Sequence, residues 1–433
     1  MWSRPKHLFL VLICVLAGSA HAETPAQGVP NTPVGEALAA WIDALNSGDR
    51  GHLETFLETH PSEWTLDEMV RWSAETGGYD LLEVQSKDPT NVFFRLKQRS
   101  WPVEEFGRMQ VSVTSPVKLL ALDVRRIPPG AKVEPLVLDD AARARVIGQV
   151  ASLLDRFHID AKIGKSLSID LRKRAARGDY RSLKYGDELA RELTKGLRET
   201  GHDKHLEVRF SYFIAPAESP ARNPVADSRL RADNCGFEKA EHLRPNVGYL
   251  KFDFFADPDL CAPTASAAMN FLADSDSLII DLRDNNGGRG GMVEFIASYL
   301  FAERTHLSDD FRRADNVTTE SWTLPYVPGR KFTDKPIFIL ISQRTFSAGE
   351  AFSYVLKDLK RATLVGETTV GGSGTIEFKR IDDHFLIVVP TGRVISPITK
   401  TDWAGTGVVP DVKVAADEAL DVAQKLAAQA NGK

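Results

Sequence analysis

The chain has 433 residues, 43% of them hydrophobic and 26% charged, with a formal net charge of -5. That is apolar surface for folded cores and length for two or three domains, which excludes a disordered or fibrous chain. With an acidic balance and no long Lys/Arg run there is no field for a polyanion, so nucleic acid is not an expected partner.

The first 22 residues carry Arg4, Lys6 and His7, the apolar run Leu8 to Ala17, and then Ser19-Ala-His-Ala22. Charged, apolar and small-residue regions in that order make a Gram-negative-type signal peptide over residues 1–22, cleaved after Ala22. The expected location is periplasmic or secreted. The apolar run is too short to span a bilayer and no later segment is long and uncharged enough, so no stable membrane insertion is expected after cleavage; an uncleaved anchor is the alternative. Export would place Cys235 and Cys261 in an oxidising compartment, where they either pair or stay as two buried thiols.

Residues 23–33 hold three prolines and a glycine and read as a flexible leader. From Val34 to Leu57 apolar residues recur at helical spacing, with Asn46-Ser-Gly-Asp49 as a break between two helices, and a third helix follows from Leu66 to about Ala74. Strands are predicted over 81–84, 91–96, 107–114 and 117–125. Together these form a small α+β accessory domain over 34–130, loosely similar in order to nuclear-transport-factor-like and cystatin-like folds. A helical stretch runs from Asp139 to about Glu199. Beyond it strands and helices alternate: strands at 206–213, 237–243, 247–255, 277–281, 337–342, 362–365 and 385–390, with helices at 264–273, 292–301 and 348–359. Near-continuous apolar strands such as Leu278-Ile-Ile280 and Ile337-Phe-Ile-Leu-Ile341 suit a sheet covered on both faces, so this part is an α/β core.

Three segments of that core can carry chemistry. Asp281-Leu-Arg-Asp-Asn-Asn-Gly-Gly288 stands where a buried strand ends and a helix begins. Glycines there allow a sharp turn whose free N–H groups can face a carbonyl oxygen, although the same pattern also makes a plain connecting turn. Thr345-Phe-Ser-Ala-Gly-Glu350 follows another buried strand. It presents Ser347 at a helix N-terminus, with the Ala348 amide unpaired beside it; Ser347 with Glu350 three residues later also reads as a capping box. His202-Asp-Lys-His205 supplies histidines, the usual base for a nucleophilic Ser, in a loop where a surface His is also commonly inert. No HExxH or CxxC spacing and no phosphate loop is present, so neither metal nor cofactor is expected.

From about Leu138 onward the chain resembles the C-terminal-processing, or tail-specific, serine proteases and their tricorn-core and interphotoreceptor-retinoid-binding relatives. The resemblance rests on Gly248-Tyr-Leu-Lys251, Leu278-Ile-Ile-Asp-Leu-Arg283, Phe346-Ser-Ala-Gly-Glu350, Lys360-Arg-Ala-Thr-Leu-Val-Gly-Glu-Thr368 and Gly405-Thr-Gly-Val-Val-Pro-Asp411. It implies a helical segment over 138–205 leading into a crotonase-like core over 206–430. Ser347 would be the nucleophile, with oxyanion donors at Gly287 or Gly288 and at Ala348. Where the tail-specific proteases carry a Lys base in a Phe-Gly-Lys-Gly turn, this chain reads Val370-Gly-Gly-Ser-Gly374, and the interval from Phe213 to Phe237 leaves no room for a PDZ domain. That places it nearer the tricorn and retinoid-binding branch, where a His precedes the first core strand: His205, with His202 next. A Glu of that branch is replaced by Ala404, leaving Glu350, Asp358 or Asp203 as the carboxylate near the base.

The expected function is an exported serine peptidase acting on polypeptides with Ser347, His205 and Glu350. The alternative is a catalytically inactive protein of the same fold that binds peptides or apolar ligands.

Overall fold

The computed structural model describes residues 28–431 except 129, 134–135 and 215–223, so the expected signal segment, residues 1–22, lies outside the described residues. Among the described residues no helix is long and apolar enough to cross a membrane. The chain forms two compact units, one running to Ser100 and resuming over Gly107–Val124, the other comprising Trp101–Phe106 and Arg125–Lys433. The division falls at Val124 rather than 130, and the segments 138–205 and 206–430 share one unit.

The first unit opens with helices α1 (Pro33–Ser47), α2 (Arg50–Thr59) and α3 (Leu66–Thr76). Thr32, Asp49 and Thr65 each cap one of them by accepting a backbone N–H, which satisfies donors the first turn leaves open. The break at Asn46-Ser-Gly-Asp49 is a C-cap run straight into an N-cap: Gly48 stops α1 at φ 63° and Asp49 starts α2. Four strands follow, β1 (Tyr79–Asp88), β2 (Asn91–Gln98), β3 (Glu104–Val111) and β4 (Leu119–Arg126), in sheet order β1-β2-β3-β4. Trp41 anchors the core, stacking on Tyr79 at 5.7 Å and meeting Trp72 edge-on at 5.3 Å.

The second unit begins with β5 (Lys132–Val133) and three helices, α4 (Asp140–Phe157), α5 (Ala161–Arg177) and α6 (Gly186–Gly201). Then come β6 (Glu207–Phe210), β7 (Phe213–Ile214), α7 (Pro224–Ala232), β8 (Phe237–Leu243), β9 (Val247–Phe252), α8 (Pro258–Phe271), β10 (Ser277–Asp281) and α9 (Gly290–Ala297). The rest is β11 (His306–Arg312), β12 (Val317–Trp322), β13 (Ile337–Ile341), α10 (Ala348–Asp358), β14 (Thr363–Gly366), β15 (Ile376–Arg380), β16 (Phe385–Pro390), β17 (Gly392–Ile395), β18 (Val412–Lys413) and α11 (Ala419–Asn431).

The centre is a six-stranded sheet in the order β18-β14-β13-β10-β9-β8. It is parallel except that β8 runs against β9. Every residue of β10 and β13 is buried, as strands covered on both faces require. Residues of α8, α9 and α10 cover one face. On the other, Ala419, Ala423 and Ala427 of α11 lie among Tyr249, Ile279, Phe338 and Leu340. Cys235 and Cys261 are joined, tying the segment before β8 to α8. Helix α8 begins at Pro258, six residues before the expected start: Asp257 caps it, and Pro258 in its first turn lacks only a donor that has no helical partner anyway.

Candidate active site

Strands β10 and β13 are parallel neighbours, so both end at the same edge of the sheet and the loops that leave them meet there, the usual place for a site in an open α/β sheet. The two loops are stitched by buried polar groups. The Thr345 hydroxyl donates to the Leu282 carbonyl at 2.8 Å and accepts the Ser342 N–H at 2.9 Å. Ser342 donates to the Arg283 carbonyl at 2.6 Å, and the Phe346 N–H to the Asn285 carbonyl at 3.0 Å. Thr345, Ser342 and Asn285 are wholly buried, so no water can replace these bonds without a rearrangement of both loops.

The second loop ends in Ser347, half-buried, at φ 53° and ψ -113°. A non-glycine residue there is strained by about 1–3 kcal/mol, and such strain persists only where neighbours over-determine it. Gly287 (φ 96°) faces it: a Cβ at that position would lie 2.7 Å from the Ser347 Cβ and 3.1 Å from the Ala348 nitrogen, so the missing side chain keeps space open over both. At Gly288 (φ 131°) a Cβ would come within 2.2 Å of the Phe255 carbonyl oxygen. Phe255 donates to the Gly287 carbonyl and accepts from the Arg289 N–H, both at 2.7 Å, and this strand-like bridge turns the Gly288 N–H to the opposite side. Among the described residues the Gly288 and Ala348 amides have no partner. The Gly287 N–H, one of the expected oxyanion donors, is held at 2.9 Å by the Asn285 side-chain oxygen and is occupied.

His205 is buried, 7% exposed, and its ring stacks on that of Phe346 at 4.5 Å. Its Nδ1 lies 3.0 Å from the Asp203 carboxylate, which also accepts the His205 backbone N–H at 2.8 Å. Burial pushes the Asp203 carboxyl up, but the bonds and charge of His205 outweigh it and leave Asp203 below the usual carboxylate range. A carboxylate on Nδ1 holds the proton there and leaves Nε2 as the acceptor. That Nε2 is buried and has no hydrogen-bond partner. His202 caps α6 at φ 52° and is exposed, and the His384 Nδ1 lies against the Ser211 carbonyl at 2.9 Å.

Glu350, expected beside the base, is placed differently. Its wholly buried carboxylate accepts the Ser347, Gly371 and Gly372 N–H groups at 2.9, 2.7 and 2.9 Å and the Thr369 hydroxyl at 2.5 Å. Burial raises its pKa against these bonds. It therefore fastens the Val370-Gly-Gly-Ser-Gly374 turn to the start of α10, and the carboxylate on His205 is Asp203. In that turn a Cβ on Gly372 would come within 2.1 Å of the Phe346 ring, so the ring fills the space a side chain would use. Ala404 is exposed, with its N–H on the Asp402 carboxylate at 2.8 Å, and Asp358 accepts from Thr399 at 2.9 Å.

A charged cluster that sequence reading missed lies beneath the glycine turn. The Asp253 carbonyl holds the Asn286 N–H at 2.9 Å, Lys251 pairs with Glu238 at 2.7 Å and Asp284 at 3.2 Å, and Arg344 pairs with Asp284 at 2.7 Å. Burial, then a hydrogen bond to Glu238, pushes the Asp253 carboxyl up to about 7. On the hairpin β11–β12, His306, Asp309 and Glu320 bring donor atoms within 4.8 Å of one another, with Asp309 already paired to Lys400 at 3.4 Å.

Residues 246–414 match the model of peptidase family S41. The chain is 34% identical to the carboxyl-terminal-processing protease of a Synechocystis species over 32% of its own length and 30% of that protein. It is 25% identical to the chloroplastic carboxyl-terminal-processing peptidase 2 of Arabidopsis thaliana over 44% of this chain and 36% of that one. The matches thus span about a third of these relatives' lengths. Among solved structures, mature CPAF is similar over 67% of this chain and 98% of its own, with a TM-score of 0.49 at 13% identity.

Proposed function

We propose that this chain is an exported serine peptidase built on a crotonase-like core, periplasmic or secreted, that hydrolyses polypeptides. Ser347 attacks the peptide carbonyl, His205 Nε2 takes its proton and returns it to the leaving amine, and Asp203 orients the imidazole and steadies its charge. The Gly288 and Ala348 amides hold the oxyanion. The observation that carries this reading is the buried, unpartnered Nε2 of His205 on a ring locked by Asp203 and stacked on the residue before Ser347. A buried acceptor left without a donor costs about 1–3 kcal/mol, which a purely structural histidine has no reason to retain.

The test is labelling of the purified protein by a fluorophosphonate probe. Wild type should label, Ser347→Ala should not, and His205→Asn should label about 100-fold more slowly. Equal labelling of wild type and Ser347→Ala sinks the assignment. A second reading, an inactive peptide-binding protein, is favoured by Gly372, which puts no side chain in the turn where the related proteases carry their base; it predicts that neither protein labels while peptides still bind.

A further inference from the structure

Beside the Ser347 and His205 loops lies a cleft of about 640 Å³, lined by Lys204, Gln343, Glu367, Thr369, Val370 and Lys413 among others. It sits at the carboxyl ends of the parallel strands: Gln343 follows β13, Glu367 follows β14, and Lys413 ends β18. Three of its walls lead directly into the site. Lys204 adjoins His205 in sequence, Gln343 is on the loop that ends in Ser347, and Thr369 donates to Glu350, which holds the Ser347 N–H.

The charge of this cleft differs from that of the chain. The protein as a whole carries a net charge of -5, yet two lysines and one glutamate line this cleft. Among the described residues neither Lys204 nor Lys413 is in a salt bridge. The one carboxylate in the lining, Glu367, accepts the Gln343 N–H at 3.3 Å and reaches neither lysine. Two cations against one carboxylate, neither of them in an ion pair and both next to a reacting centre, leave an excess of positive charge that attracts an anionic group and holds it as point charges rather than through a rigid fork.

We propose that this cleft is a substrate subsite that takes a carboxylate of the bound peptide, with Lys204 and Lys413 as its specificity-determining residues. The proposal rests on the serine peptidase reading for its role in turnover, but not for binding. The carboxylate has two sources, an Asp or Glu side chain or the free C-terminus of the peptide, and both present the same group to the lysines.

The experiment measures binding of dansyl-labelled octapeptides to the full-length Ser347→Ala protein. Three peptides of otherwise neutral sequence are compared: one with a single Glu and an amidated end, one with Gln in its place, and the Gln peptide with a free carboxyl end. At low salt one or both carboxylate peptides should bind at least fivefold more tightly than the neutral one, and the gain should shrink at 1 M salt, where the screening length is about 3 Å. Which of the two gains identifies the source. Lys204→Gln with Lys413→Gln should erase the discrimination, and Lys204→Glu with Lys413→Glu should invert it toward a peptide carrying Lys. Equal binding of all three peptides, no binding of any, or a preference that survives the Gln pair overturns the proposal. Fluorophosphonate labelling of wild type reads the catalytic assignment separately: a protein that does not label yet discriminates through its lysines keeps the subsite and loses the hydrolase.

Discussion

At Ser347 the backbone is bent in a way the side chain does nothing to favour, and this makes a prediction that separates strain from chemistry. Ser347→Ala keeps a Cβ at φ 53°, while Ser347→Gly removes it. In denaturant melts the Gly protein should be about 1 kcal/mol more stable than the Ala protein, although both are inactive. Equal midpoints would mean that the turn is unstrained. Asp203→Asn should slow turnover by 100-fold or more with little change in KM, because the wrong imidazole tautomer is then favoured. The places of Ser347, His205 and the glycine turn at element junctions were legible in the sequence, since strand and helix patterns mark each one. The partners were not. Asp203 folds back on the amide two residues on, as Asn285 does on Gly287, and an Asx turn of this kind is a local signal that could have been found. Glu350 was misplaced because its bonding is decided by a turn some twenty residues away.

The Val370–Gly374 turn tolerates little change, since it is held by the buried Glu350 and packed on Phe346. Gly372→Ala must displace the ring that His205 stacks on, so its fluorophosphonate labelling rate should fall at least tenfold; an unchanged rate would show that the stack plays no part. Glu350→Ala leaves three N–H groups and a hydroxyl unsatisfied in a buried site and should cost about 3 kcal/mol or more, seen as a lowered thermal midpoint. Closing the 26-residue separation between Cys235 and Cys261 contributes about 3–4 kcal/mol by the loop-entropy argument, so reduction should shift the denaturation midpoint accordingly. Helices with clear caps and fully apolar strands could be read from the sequence. The hairpin β11–β12 could not, because its strands are mostly polar and show no alternation: only Leu307 and Ser308, adjacent in the chain, are buried. Nor could β18, whose two residues become a strand only by joining a finished sheet.

Across the whole molecule, stability should depend on pH through groups whose folded pKa is raised. Asp253, pushed to about 7, and Glu350 bind protons more tightly folded than unfolded. Their contribution is fully present below the unfolded carboxylate range of about 4 and is lost as pH rises, through about 7 for Asp253. His60 and His158, held below the usual imidazole range by burial, act in the opposite sense over the same interval, so the readout is the difference from Asp253→Asn. Relative to that variant the wild-type thermal midpoint should fall between pH 5 and pH 7.5, and a difference that stays constant or rises over this interval would contradict the assignment. The α/β pattern and the two-sided burial of the central strands were readable from apolar runs alone. The order of the sheet was not, since it pairs residues such as Val365 and Val412 that nothing local relates.

Helix α11 has a consequence for the order in which the chain is made. The face formed by Tyr249, Ile279, Phe338 and Leu340 is covered by Ala419, Ala423 and Ala427, which are synthesised more than a hundred residues after Ile279. Until residue 431 has emerged, that side of the sheet has no helix to lie against and its strands remain loosely held. The loops bearing Ser347 and the glycine turn hang from those same strands, so a nascent chain stopped at residue 418 contains every proposed catalytic group and should cut nothing, its own translation intermediates included.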